Sequence, residues 1–227
     1  MSENKMVFKG FSEELFRFLK DLEKNNTVEW FRNNRQRYEE YLVEPSRAYV
    51  TEVAPFLNRI NPAIRTEPKF NQTLMRLNKD MRFAKGSPYK NYFLIHFGRF
   101  KLDSEFFLYF EPNQTDLGIF INNTDGDQLY FKQNYIRYKK EIVEIFNRNK
   151  LNNKVYLQQM DNKRPETVLK KFDANKHIEK LGNYKYILIQ LTNFTQQKVY
   201  SDNLLPLSIE TFTKLYPLLC FSYSQIR

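Results

Sequence analysis

The stretch Asn91-Tyr92-Phe93-Leu94-Ile95-His96-Phe97-Gly98-Arg99-Phe100 decides the fold. Side chains on a strand point alternately to its two faces. That alternation puts Tyr92, Leu94, His96, Gly98 and Phe100 on one face, and Phe93, Ile95, Phe97 and Arg99 on the other. Phe106 to Phe110 continues as a second strand. Pro112-Asn113-Gln114-Thr115 makes a turn, and Leu117 to Ile121 reads as a third strand. Short connections between such runs give two antiparallel hairpins.

On the N-terminal side the apolar period changes from two to three and four. Ser12 is a helix N-cap with acids in the first turn, followed by Leu15, Phe16, Phe18, Leu19 and Leu22 at helical spacing. Asn25-Asn26 ends that helix and Thr27 caps the next, whose face carries Trp30, Phe31, Asn34, Tyr38 and Leu42. Such an aromatic face could line a pocket, but at this spacing it reads first as core. Pro45 opens a third helix to about Ile60, with Tyr49, Val53, Phe56, Leu57 and Ile60 inward and Pro55 as a point of kinking or splitting.

On the C-terminal side Asp125-Gly126-Asp127 marks a turn. A long helix is predicted from about Gln128 to Asn149, with Leu129, Phe131, Ile136, Ile142, Val143, Ile145 and Phe146 as its apolar set. Val155–Gln159 is a short strand, and Pro165 suits the first position of a short helix ending near Phe172. Tyr184 to Leu191 is a strand rich in β-formers, and Ser208 to Ser224 a helix bent at Pro217. Together these predict an α+β fold: a central antiparallel sheet with N-terminal and C-terminal helices packed on it. Residues 1–227 read as a single domain, with the Asn-rich stretch 147–153 as the best place for a weak subdivision.

Charge is distributed unevenly. The chain carries 36 Lys and Arg against 26 Asp and Glu, a net +10. Residues 59 to 101 hold ten of those bases against only Glu67 and Asp80, which leaves 26 bases and 24 acids for the rest. Solubility does not need such concentration, whereas holding an anion does. The expected partner is therefore an anionic or phosphorylated small molecule.

Other classes are disfavoured. A single cysteine, Cys220 in an apolar run, excludes an internal disulfide and fits a reducing, cytoplasmic setting. No apolar run approaches the ~20 residues needed to cross a bilayer. Neither His96 nor His177 has Cys, Asp or Glu beside it at metal-ligand spacing, so no metal site is expected. With six glycines there is no Walker-type loop or dinucleotide fingerprint, so no cofactor is expected.

Several stretches combine into a recognisable pattern. Asn25-Asn26, Glu29-Trp30-Phe31, Tyr38 and Pro45 are followed by Arg76, then Asp80-Met81-Arg82-Phe83, then Pro88-Tyr89-Lys90. The pattern resembles the DUF2461 family of uncharacterised proteins, with clear motifs over about residues 11 to 100 and weaker ones onward through Pro165–Lys171. The family has no established activity, cofactor or substrate, so the resemblance implies none. Lys79 stands where the family usually has arginine, and Ala84 where serine is usual. The Ala84–Ser87 turn is one residue short, and Leu117-Gly118-Ile119-Phe120-Ile121 replaces a glycine-rich segment.

The candidate site is Arg76, Lys79, Arg82, Lys85, Tyr89 and Lys90, with Asp80 among them. If Met75–Phe83 is extended, alternation puts Arg76, Asp80 and Arg82 on one face. Arginine forks bind carboxylate or phosphate through paired hydrogen bonds, Gly86-Ser87 offers backbone N–H groups, and Tyr89 offers a hydroxyl. Asp80 would orient the arginines or, if the site is catalytic, act as general base on a phosphorylated substrate. The alternative without a ligand pairs Asp80 with Arg76 or Arg82. A nucleic-acid module is a further, less favoured reading, drawn from the interleaving of bases with aromatics at Arg82-Phe83, Tyr89-Lys90 and Arg99-Phe100.

Overall fold

Strand alternation and helical spacing both appear in the computed structural model, which describes residues 7–82, 86–161 and 164–225. Four helical pieces come first: α1 (Glu13–Lys24), α2 (Val28–Asn33), α3 (Arg35–Tyr38) and α4 (Glu44–Ile60). Strands β1 (Phe93–Phe97), β2 (Glu105–Glu111) and β3 (Gln114–Asn122) follow, then α5 (Phe131–Arg137) and α6 (Lys139–Arg148). Strands β4 (Val155–Gln159) and β5 (Glu166–Leu169), the short α7 (Ala174–His177), β6 (Tyr186–Leu191) and α8 (Leu204–Tyr223) complete the chain. The six strands form one antiparallel sheet in the order β1-β2-β3-β6-β4-β5, and the fold is α+β. Among the described residues no helix is long and apolar enough to cross a membrane.

The chain forms two compact units, to both of which β2, β3 and α8 contribute. The first comprises Met1–Phe97, Leu108–Asp116 and Thr195–Ile209. Its core is aromatic. α1 buries Leu15, Phe16, Phe18, Leu19 and Leu22, while β1 buries Phe93, Ile95 and Phe97. Phe11 meets Phe110 edge-on at 4.8 Å, and Tyr49 lies 6.4 Å from Phe97. Each fully buried ring of this size contributes about 1.5–3 kcal/mol over exposure. Tyr49 is polar and fully buried, so its hydroxyl needs a partner; it donates to Ser208 Oγ of α8 at 2.8 Å.

One prediction for this unit is corrected. The helix capped by Thr27 is not continuous: it stops at Asn34, whose amide turns back to donate to the Trp30 carbonyl at 3.0 Å. Local bonding of this kind competes with the helical ladder. Beyond α3 the chain passes through one π-helical segment, Glu39–Val43, into α4, which runs through Pro55 without splitting.

The second unit comprises Gly98–Phe107, Leu117–Phe194 and Glu210–Arg227. Here β6 lies between β3 and β4, with Gly118 opposite Gln190 and Val155 opposite Leu191. Phe106 stacks on Phe212 at 4.6 Å. Arg99 is held by Asp103 through two guanidinium bonds of 2.8 and 3.0 Å. It also donates to the Tyr223 and Gln128 carbonyls and lies 3.9 Å from the Tyr223 ring. Asp103 is fully buried and Arg99 nearly so, and a buried charge pair persists only with this degree of satisfaction.

Two further elements differ from expectation. The predicted helix from Gln128 to Asn149 is two helices broken at Tyr138. Asn134 is buried and gives its amide to the Phe221 and Ser224 carbonyls, while Ile136, expected inward, is exposed. Asn134 is thus a polar residue on the buried face, placed there by partners that apolar spacing could not reveal. The stretch after Pro165 is not a helix but the strand β5, paired antiparallel with β4. Thr167 and Val168 favour that outcome, and proline is tolerated at the entrance of an edge strand. Lys170 and Lys171, both exposed, follow it immediately.

Gly118 permits the close contact of β3 with β6: a Cβ there would lie 2.2 Å from the Ile189 carbonyl oxygen. Gly118→Ala is expected to lower unfolding stability by roughly 1–3 kcal/mol, the usual cost of overpacking. Urea denaturation followed by circular dichroism measures it.

Candidate functional site

The basic segment lies in the first unit and begins as an extension of the sheet. Met75 N–H donates to the Leu94 carbonyl at 3.0 Å and His96 N–H to the Thr73 carbonyl at 2.9 Å, so residues 73–75 run along β1. The chain then pairs with itself. Lys79 N–H reaches the Pro88 carbonyl at 2.9 Å and Lys90 N–H the Leu77 carbonyl at 2.8 Å, with Asn78 directly opposite Tyr89. The extended run ends there. Met81 and Arg82 lie in a turn, so strand alternation does not carry on to Phe83.

The anchor of this rung is a contact between residues far apart in sequence. Tyr89 N–H donates to Asn26 Oδ1, and Asn26 Nδ2 donates back to the Tyr89 carbonyl, both at 3.0 Å. One side-chain amide thus satisfies both backbone groups of Tyr89. The Tyr89 ring is 6% exposed and stacks on Phe31 at 4.2 Å with a 16° tilt. Beside it, Asn91 donates to Glu23 at 2.7 Å. The Asn-Asn and Trp-Phe stretches thus meet Pro88-Tyr89-Lys90 in space.

The sequence-selected residues separate into three groups. Asp80 and Arg82 form a bidentate pair, with Nε to Oδ1 at 2.9 Å and Nη2 to Oδ2 at 2.7 Å. Arg82 N–H also donates to Asp80 Oδ1 at 3.1 Å. These bonds favour the charged acid: the Arg82 side chain first, then its backbone N–H, hold the Asp80 pKa below the usual aspartate value. Both side chains are exposed, at 46% and 80%, so water screens the pair and its role is to shape the turn.

Arg76 faces elsewhere. Its guanidinium carbon lies 5.9 Å from the Phe70 ring. Together with Arg47 and Arg35 it opposes the rise in the Tyr38 pKa, which burial causes and Glu39 reinforces.

Lys79 and Lys90 form the third group. Antiparallel pairing makes them diagonal neighbours on one side of the rung, about 7–8 Å apart at the backbone and within reach for long side chains. Lys79 Nζ donates to Ser87 Oγ at 3.1 Å, and Lys90 Nζ to the Arg76 carbonyl at 2.8 Å. Burial first, then the charge on Lys79, holds the Lys90 pKa below the ordinary lysine value. Among the described residues neither ammonium has a carboxylate within ion-pair distance. Lys85 lies outside the described residues, and Gly86 beside it has φ +94°, a left-handed conformation suited to glycine.

Comparison with known proteins settles the family. The DUF2461 family model, described as a conserved hypothetical protein, matches residues 14–221. The chain belongs to DUF2461. A comparison with curated proteins finds no match. The stretch matched in DUF2461 includes both partners of the Asn26–Tyr89 contact and every candidate site residue.

Sequence reading missed Asn26 as a structural clamp, and Phe31 and Phe70 as ring partners. Asn26 stood within the family pattern, but its partner is 63 residues away and no spacing rule links the two.

Two measurements check this geometry. Asn26→Ala leaves two backbone groups of a half-buried rung unmatched and is expected to cost about 1–3 kcal/mol in denaturant unfolding. Separately, carboxyl-carbon NMR should find Asp80 titrating below ordinary aspartate, and Arg82→Ala should return it toward that value. The turn contacts are thus present at neutral pH and lost as acidification passes the lowered pKa.

Proposed function

We propose that this DUF2461 protein binds a small anion, phosphate-bearing or carboxylate-bearing, between Lys79 and Lys90. The observation that carries the reading is the diagonal pair of lysines on one hydrogen-bonded rung, the charge of one acting on the other, without an acidic partner among the described residues. Bringing like charges together costs free energy, and Lys90 is also partly desolvated. An anion between them would relieve both costs. Ser87 adds a hydroxyl beside Lys79.

Binding is favoured over acid–base catalysis by the state of Asp80. Its carboxylate accepts three hydrogen bonds from Arg82, and its pKa moves away from the range a general base needs at neutral pH. Arg82, occupied in this way, contributes to the shape of the turn more than to the anion. The nucleic-acid reading is weakened by Tyr89, whose ring is stacked inside the protein and not presented to a base.

Isothermal titration with inorganic phosphate and pyrophosphate tests the reading. Wild-type protein should bind pyrophosphate more tightly than phosphate. Lys90→Met should weaken binding about tenfold or more, the scale of one lost charge-assisted hydrogen bond. Unchanged affinity in the Lys79→Met, Lys90→Met double variant would overturn the site.

A further inference from the structure

Lysine acts as a nucleophile only as the neutral amine, and proteins reach that state by burying it or placing it beside another cation. Lys90 has both conditions. Its stem is half-buried against the rung, and Lys79 is its diagonal neighbour on the same side. No carboxylate among the described residues holds the proton on it. The carbonyl of Arg76 takes one Nζ–H at 2.8 Å, which steers the amine without neutralising a charge. The lowered Lys90 pKa agrees with this placement. Lys79, whose Nζ donates to the Ser87 hydroxyl at 3.1 Å, is the neighbouring charge that acts on Lys90.

We propose that Lys90 forms a reversible Schiff base with an aldehyde or ketone carrying a phosphate or carboxylate group, and that Lys79 holds the anionic end. This rests on the anion-binding reading of the same site. Lys90 first loses a proton to solvent. The Nζ lone pair then forms a bond to the carbonyl carbon as the C=O π pair moves onto oxygen, and one proton passes from nitrogen to that oxygen to give a carbinolamine. The carbinolamine expels that oxygen as water while nitrogen gives up its remaining proton, leaving a C=N bond. Amine and carbonyl are converted to imine and water, with no oxidant or reductant required.

Selectivity distinguishes this from ordinary surface lysine chemistry. The full chain is treated with a substoichiometric amount of pyridoxal 5′-phosphate, a phosphate-bearing aldehyde. Sodium borohydride then fixes any imine as a secondary amine, and peptide mass spectrometry locates the label. Lys90 should take most of the label. Excess inorganic phosphate should suppress labelling at Lys90 while leaving the scattered background unchanged.

Lys79→Met should reduce Lys90 labelling several-fold. Lys90→Arg, which lacks the amine nucleophile, should lose the selective label; circular dichroism checks that it folds. Label spread evenly over the lysines, with phosphate binding intact, overturns the Schiff base and leaves anion binding standing. Selective Lys90 labelling that phosphate does not suppress overturns the role of Lys79, and the anion-binding reading with it.

Discussion

The amide of Asn26, matched to both backbone groups of Tyr89, is the contact on which the basic segment depends. Without it the Leu77–Lys79 and Pro88–Lys90 stretches would be a two-stranded ribbon too short to hold itself in water. With it, and with Tyr89 stacked on Phe31, the ribbon becomes part of the helical layer's core. Side chains on its other side inherit that fixed frame. This is how a loop rich in lysine acquires defined geometry.

Several of the concentrated positive charges are answered within the chain. Asp80 takes Arg82, Phe70 lies near Arg76, and Asp103 with two carbonyls takes Arg99. Pairing and ring contacts thus engage Arg76, Arg82 and Arg99, while the two lysines of the rung donate to neutral oxygens. The difference follows from shape. A planar fork satisfies a carboxylate side-on, whereas a flexible ammonium settles on whichever acceptor is near.

Much of this architecture could be read directly from residue order. Phe93, Ile95 and Phe97 are buried as alternation requires, Ser12 caps α1, and Val155–Gln159 is a strand with the expected limits. The sites of failure share a cause. Asn34, Asn134 and the residues after Pro165 are governed by bonds that the apolar pattern does not encode: a side chain folding back, an amide reaching the last helix, a neighbouring strand offering an edge. The candidate site was legible as charge density, but not as geometry. Which bases face one another depends on the Asn78–Tyr89 register, and that register is held by Asn26 in the distant connection between α1 and α2.

The outermost strand has a consequence for life at high concentration. β5 closes the sheet with four residues, a proline at its entry and two lysines at its exit. A second molecule approaching along that margin would find a short template without a donor at its start, and like charge where the strand ends. Edge-to-edge growth into ordered aggregates is discouraged by the same few residues that finish the sheet.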